Sequence, residues 1–133
     1  MKNKVNEIIV SYKEKQAISK APTITSSLVA GKLLYENWDK DTISLKETFK
    51  VLLLNNSNNV KGIYELSQGG ITGTLVDLRV LYAVILKSLS VAVILAHNHP
   101  SGKLIPSEAD KHLTRKIVKA GNYFDVKVLD HLI

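Results

Sequence analysis

Cysteine is absent from the 133-residue chain, which excludes disulfides, thiolate nucleophiles and thiolate metal ligands together and leaves nitrogen and oxygen as the only strong metal donors. Aromatic residues make up 6% and proline only three positions. The scarcity of rings leaves little to stack against unpaired bases. No stretch approaches the roughly 20 consecutive apolar residues of a spanning helix. The most apolar one, residues 80–96, is interrupted by Lys87, Ser88 and Ser90. The first fifteen residues offer only Ile8-Ile9-Val10 between charges, too short for a secretory h-region. These absences predict a cytoplasmic protein with no membrane contact.

What is present suits one compact domain over residues 1–133, with 45% hydrophobic and 23% charged residues. Eighteen basic against twelve acidic residues give a net charge of +6. The excess divides as +3, +1 and +2 over residues 1–46, 47–102 and 103–133, so it reads as a solvated basic surface more than a dedicated nucleic-acid face.

Residues 7–12 predict a short strand, and Thr25-Ser26 cap a helix that ends near Trp38. The apolar run 49–54, the Asn-rich turn 55–59 and the run 60–66 predict a buried hairpin. A glycine-rich loop over 68–74 leads to a helix over 76–87, and 91–96 reads as a central strand stopped by Pro100-Ser101-Gly102. A third helix over 107–120, halted by Gly121-Asn122, puts Leu113, Ile117 and Ala120 on one face and Lys111, Arg115 and Lys119 in a stripe. Residues 126–129 give the last strand. The order β-α-β-β-α-β-α-β predicts an α/β domain with a mixed sheet and flanking helices.

The chemistry concentrates where the central strand ends, in His97-Asn98-His99-Pro100-Ser101-Gly102 and then Pro106-Ser107-Glu108-Ala109-Asp110. Histidines at i and i+2 on extended backbone share a face, with Asn98 turned to the other side. Asp110, in the first turn of the next helix, is well placed as a third ligand. Two histidines and one carboxylate with an open fourth position make a catalytic zinc pattern, and zinc so held brings the pKa of bound water to about 7. The same donors also make the facial triad of non-haem iron oxygenases, and Ser107 with Asp110 also satisfies a helix capping box. Glu47, between Lys46 and Thr48 at a strand start, reads from its own surroundings as a solvated side chain. Asp130-His131 at a strand end reads as a structural hydrogen-bonding pair rather than a ligand pair, and His112 is given no role.

The arrangement His-x-His, seven residues, Ser, two residues, Asp resembles the JAMM metalloprotease motif of the MPN/JAB superfamily. Its wording is similar to the RadC-like branch, as are residues 49–55, Gly70-Ile71-Thr72-Gly73-Thr74, residues 92–96 and Leu129-Asp130-His131-Leu132-Ile133. The resemblance covers nearly the whole chain and implies the JAB/MPN, cytidine deaminase-like architecture, with an extension over about 1–40 packed on it. It implies zinc on His97, His99 and Asp110, Glu47 as the general base with Glu65 in reserve, and Ser107 as an oxyanion donor. The implied activity is hydrolysis of a peptide or isopeptide bond in a peptide or protein substrate. The alternative is a non-enzymatic, nucleic-acid-binding module, because the branch carries a DNA-repair label that implies DNA or repair-protein association. Two departures stand out. Asp77-Leu78-Arg79-Val80 keeps only Arg79 of a His-Pro-Arg-Glu-like stretch, and family chains continue past Ile133, implying a truncated end.

Overall fold

The computed structural model describes residues 4–70 and 75–133. After a single 3-10 turn, Ile18–Lys20, the order is α1 (Ser27–Glu36), β1 (Thr48–Leu54), β2 (Val60–Gln68), α2 (Leu78–Lys87), β3 (Ala92–His97), α3 (Glu108–Tyr123) and β4 (Lys127–Leu132). The four strands form one mixed sheet, β2-β1-β3-β4, with β1 antiparallel to β2 and β3, and β4 parallel to β3. The α/β architecture with a mixed sheet and flanking helices is therefore as the pattern predicts. The motif residues 71–74 lie outside the described residues.

The predicted strand over 7–12 does not form. Ile8, Ile9 and Val10 are exposed and no strand among the described residues pairs with them, so their β propensity finds no ladder to join. The third helix also runs past its predicted stop. Gly121 is a helical position whose missing Cβ lets the helix meet the following chain, since a Cβ there would lie 2.6 Å from the Val126 carbonyl oxygen.

The alternation of the strands divides the core in two. Phe49, Val51, Leu53, Val93 and Leu95 pack with Leu81, Ile85 and Ile117 on the α2/α3 side. Leu52, Leu54, Ile94 and Ala96 pack with Ala30, Leu34 and Trp38 on the α1 side. The Tyr82 hydroxyl donates to the Ile117 carbonyl and ties α2 to α3. The joints from α2 to β3 and from α3 to β4 each close with a left-handed residue, Leu89 (φ 57°) and Asp125 (φ 53°) respectively. In each, the amide of the following residue reaches back to close the helix, Ser90 to Ile85 and Val126 to Gly121.

Candidate metal centre

The antiparallel register of β1 and β3 builds the centre. Phe49 faces His97 across the ladder. One step further out Thr48 meets Asn98, whose Oδ1 accepts the Thr48 amide at 2.7 Å. A further step brings Glu47 opposite His99, and its Oε1 lies 3.8 Å from His99 Nε2. The odd-numbered residues of this pairing all face the α2/α3 side, so Glu47 and both histidines share one face while Asn98 turns to the other. Glu47 is only 9% exposed. Its carbonyl accepts the Gly69 amide at 2.8 Å and its amide donates to the Gly70 carbonyl at 3.1 Å, which carries the β2 pairing up to the centre.

Three side-chain atoms converge. His97 Nε2 and His99 Nε2 are 2.9 Å apart, and Asp110 Oδ2 lies 3.3 Å from the first and 3.2 Å from the second. Ligands at about 2.0–2.1 Å from a tetrahedral ion sit about 3.3 Å from one another, so this donor set fits a single small divalent cation. Glu47, His97 and His99 also form a group able to hold a metal ion, with their donor atoms within 4.8 Å of one another. Of the two carboxylates, Asp110 makes the closer approach to both rings.

The capping reading and the ligand reading of Asp110 prove compatible. Ser107 Oγ accepts the Asp110 amide at 3.0 Å and the Ser107 amide donates to Asp110 Oδ2 at 2.8 Å, a complete capping box. The box aims the same oxygen at the histidines. Ser107 keeps its hydroxyl hydrogen free of that box, since its oxygen is the acceptor there.

Each ring is held from behind. His99 Nδ1 is 2.9 Å from the Lys103 carbonyl, which can only accept, so Nδ1 carries the hydrogen and Nε2 the lone pair. His97 Nδ1 is 2.8 Å from His131 Nε2, His131 Nδ1 is 2.6 Å from Thr114 Oγ1, and Thr114 Oγ1 donates to the Asp110 carbonyl at 2.8 Å. Because the last acceptor is a carbonyl, the protons run one way along this chain and leave the His97 Nε2 lone pair pointing at Asp110 and His99. Phe49 stacks on the His97 ring at 5.8 Å between centroids.

Burial lowers the pKa of His97, against the opposing pull of Asp110. Burial, then the repulsion between protonated His131 and protonated His97, bring His131 down to about 4. For Asp110, burial pushes upward, but donation from the Ser107 backbone and the nearby His97 outweigh it and hold the carboxyl below its ordinary value. Burial therefore favours neutral His97 and His131 rings, and the Asp110 carboxylate stays ionised, the protonation state in which His97 and Asp110 can bind metal.

The structure thus brings together His97, His99, Asp110 and Glu47, with Ser107 at the helix start beside them. Glu47 is buried rather than solvated, because pairing on both sides of its backbone draws it in. Glu65 is not part of the group. It pairs with Lys50 on the α1 side and its carboxylate accepts from Gln68. Asp130 and His131 are a hydrogen-bonding pair as expected, split across the sheet: Asp130 accepts from Ser27 of α1 and His131 backs His97. His112 stays on the exposed surface of α3. Sequence reasoning missed Asn98 and Thr114 as supports, although the turn of Asn98 away from the histidines was a signal for the first.

The family model of the RadC-like JAB domain matches residues 24–133. A UPF0758 protein of Flavobacterium johnsoniae is 55% identical over 87 residues, covering 65% of this chain and 38% of that protein. One from Symbiobacterium thermophilum is 44% identical, covering 65% and 37%, and one from Alkaliphilus oremlandii is 36% identical, covering 86% and 46%. The chain thus spans less than half the length of these curated relatives. Among the described residues, no helix is long and apolar enough to cross a membrane.

Proposed function

The chain belongs to the RadC-like JAB domain family, and from that premise we propose that it is a zinc-dependent hydrolase of peptide or isopeptide bonds. The observation that carries the reading is the convergence of His97 Nε2, His99 Nε2 and Asp110 Oδ2 within 3.3 Å of one another. In this reading those three side chains hold the ion. Zinc, when bound, polarises a carbonyl and makes a neighbouring water acidic enough to attack it at neutral pH. Glu47, buried beside His99, takes the proton from the attacking water and passes it to the leaving amine. The Ser107 hydroxyl donates to the oxygen that becomes negative in the tetrahedral intermediate.

The test is E47Q. Zinc per chain, measured by metal analysis, stays at the wild-type level, while hydrolysis of a fluorogenic peptide or isopeptide falls by about 10²–10⁴-fold. Zinc lost together with the carboxylate makes Glu47 a ligand instead of a base. Turnover that survives E47Q at the wild-type rate removes the proposed mechanism.

A further inference from the structure

A groove of about 750 Å³ runs from the metal centre along α3. Its lining starts at His97 and Asp110 and extends to Asn122, which is about 18 Å of helix at 1.5 Å per residue. Leu104, Pro106, Val118 and Leu132 give it apolar walls, and Lys111, Arg115 and Lys119 line it as well. The volume is within the roughly 300–1,000 Å³ of clefts that enclose a ligand. Lys111 pairs with Glu108 at the surface, whereas Arg115 and Lys119 have no carboxylate partner among the described residues.

We propose that this groove binds an extended acidic polypeptide segment on one side of the scissile bond, a substrate class that rests on the hydrolase reading above. The spacing carries the inference. Residues four apart on α3 rise about 6 Å along its axis, and alternate side chains of an extended peptide repeat at about 6.6 Å. A peptide lying along α3 thus brings every second side chain beside one of Lys111, Arg115 and Lys119, and acidic residues at alternate positions meet a cation each. The intervening side chains fall on the apolar walls. A nucleic acid would meet the same charges but no aromatic ring, because the groove is lined by none apart from the two imidazoles, His97 and His131.

The experiment uses zinc-treated E47Q, so that nothing is consumed, and follows the anisotropy of labelled Ala-Glu-Ala-Glu-Ala-Glu and of its Gln and Lys counterparts. Three solvent-facing ion pairs of ordinary strength amount to about ten-fold in affinity, so the Glu peptide binds about ten-fold more tightly than the Gln peptide. The advantage shrinks with added salt and disappears in E47Q/R115E/K119E, two exposed positions whose reversal leaves zinc content unchanged. Equal affinities, no binding of any peptide, or a preference that survives R115E/K119E overturns the proposal. Tighter binding of an oligothymidylate that R115E/K119E abolishes also overturns it and gives the face to nucleic acid. The two readings fail separately: a Glu preference without bound zinc removes the hydrolase and keeps the groove, and zinc with turnover but no Glu preference does the reverse.

Discussion

Asn98 holds Thr48 by its backbone amide at 2.7 Å, and the same side chain donates to the carbonyls of Ile43 at 2.6 Å and Lys46 at 2.9 Å. These three bonds fix the chain on both sides of Glu47 without touching the metal-facing side of the sheet. N98A leaves partly buried backbone groups unpaired, at a cost of about 1–3 kcal/mol by urea unfolding. It also lowers kcat while zinc content stays unchanged, because Glu47 loses its position and the ligands do not. N98D keeps the acceptor and loses both donations, so it shares the defect. Loss of zinc in either variant shows that Asn98 supports the ligands instead.

His131 stands behind His97 and Thr114 behind His131, and on the proposed function their removal weakens metal binding. Outer hydrogen-bond partners of this kind are worth about 10–100-fold in metal affinity. Competition with a chromogenic chelator therefore gives a zinc Kd weaker by that factor in H131A, and by a smaller one in T114V, which deletes one link only. Unchanged affinity in H131A makes the chain of bonds a packing device with no bearing on the metal.

The metal-free protein loses stability as it is acidified. His131, pushed down to about 4 by burial first and by His97 second, is neutral when folded. Its unfolded counterpart takes up a proton near 6.5. The unfolded state then binds more protons between these values, so the contribution of His131 is complete above about pH 6.5 and is lost as pH falls towards about 4. His97, lowered by burial, acts in the same direction. Asp110, whose depressed pKa also favours the folded state at higher pH, adds a loss below the ordinary carboxylate range. Thermal unfolding of chelator-treated protein between pH 7.5 and 4 measures the slope, and H131Q flattens it. A Tm that is flat over this interval contradicts the protonation states assigned to the cluster.

Two glycine substitutions have opposite signs. Leu89 is exposed and left-handed at φ 57°, a conformation that costs an L-residue about 1–2 kcal/mol. L89G removes that cost, offset in part by the added freedom of the unfolded chain, for a net gain of about 0.5–1 kcal/mol in chemical denaturation. In G121A the new methyl meets the Val126 carbonyl at 2.6 Å and the Tyr82 hydroxyl at 3.1 Å, and the resulting shift costs about 1–3 kcal/mol. A neutral G121A would mean that the end of α3 yields easily.

The convergence of His97, His99 and Asp110 was legible because it is local. Period-two alternation puts His97 and His99 on one side of a strand, and the Ser107-to-Asp110 spacing signals a helix start whose first turn carries the carboxylate. Glu47 was legible only through family resemblance, since its burial comes from a strand register that brings Phe49 to His97 and Thr48 to Asn98, 50 positions away, which no local pattern encodes. The same limit applies to residues 7–12, where propensity for a strand was real and a partner was missing. Helix α3 outran its glycine because that residue answers a contact with Val126 rather than a turn.

The three converging donors come from 14 consecutive residues, 97–110, whereas Glu47 is delivered by long-range pairing. On the proposed function, cation capture and bond cleavage therefore depend on different parts of the folding reaction. A fluctuation that peels back the segment ahead of β1 would withdraw the proposed base while leaving the three-donor cluster assembled, and reclosing would restore the full set. On the proposed function, catalytic competence is in that sense a reversible property of one strand end, layered on a donor cluster that persists through it.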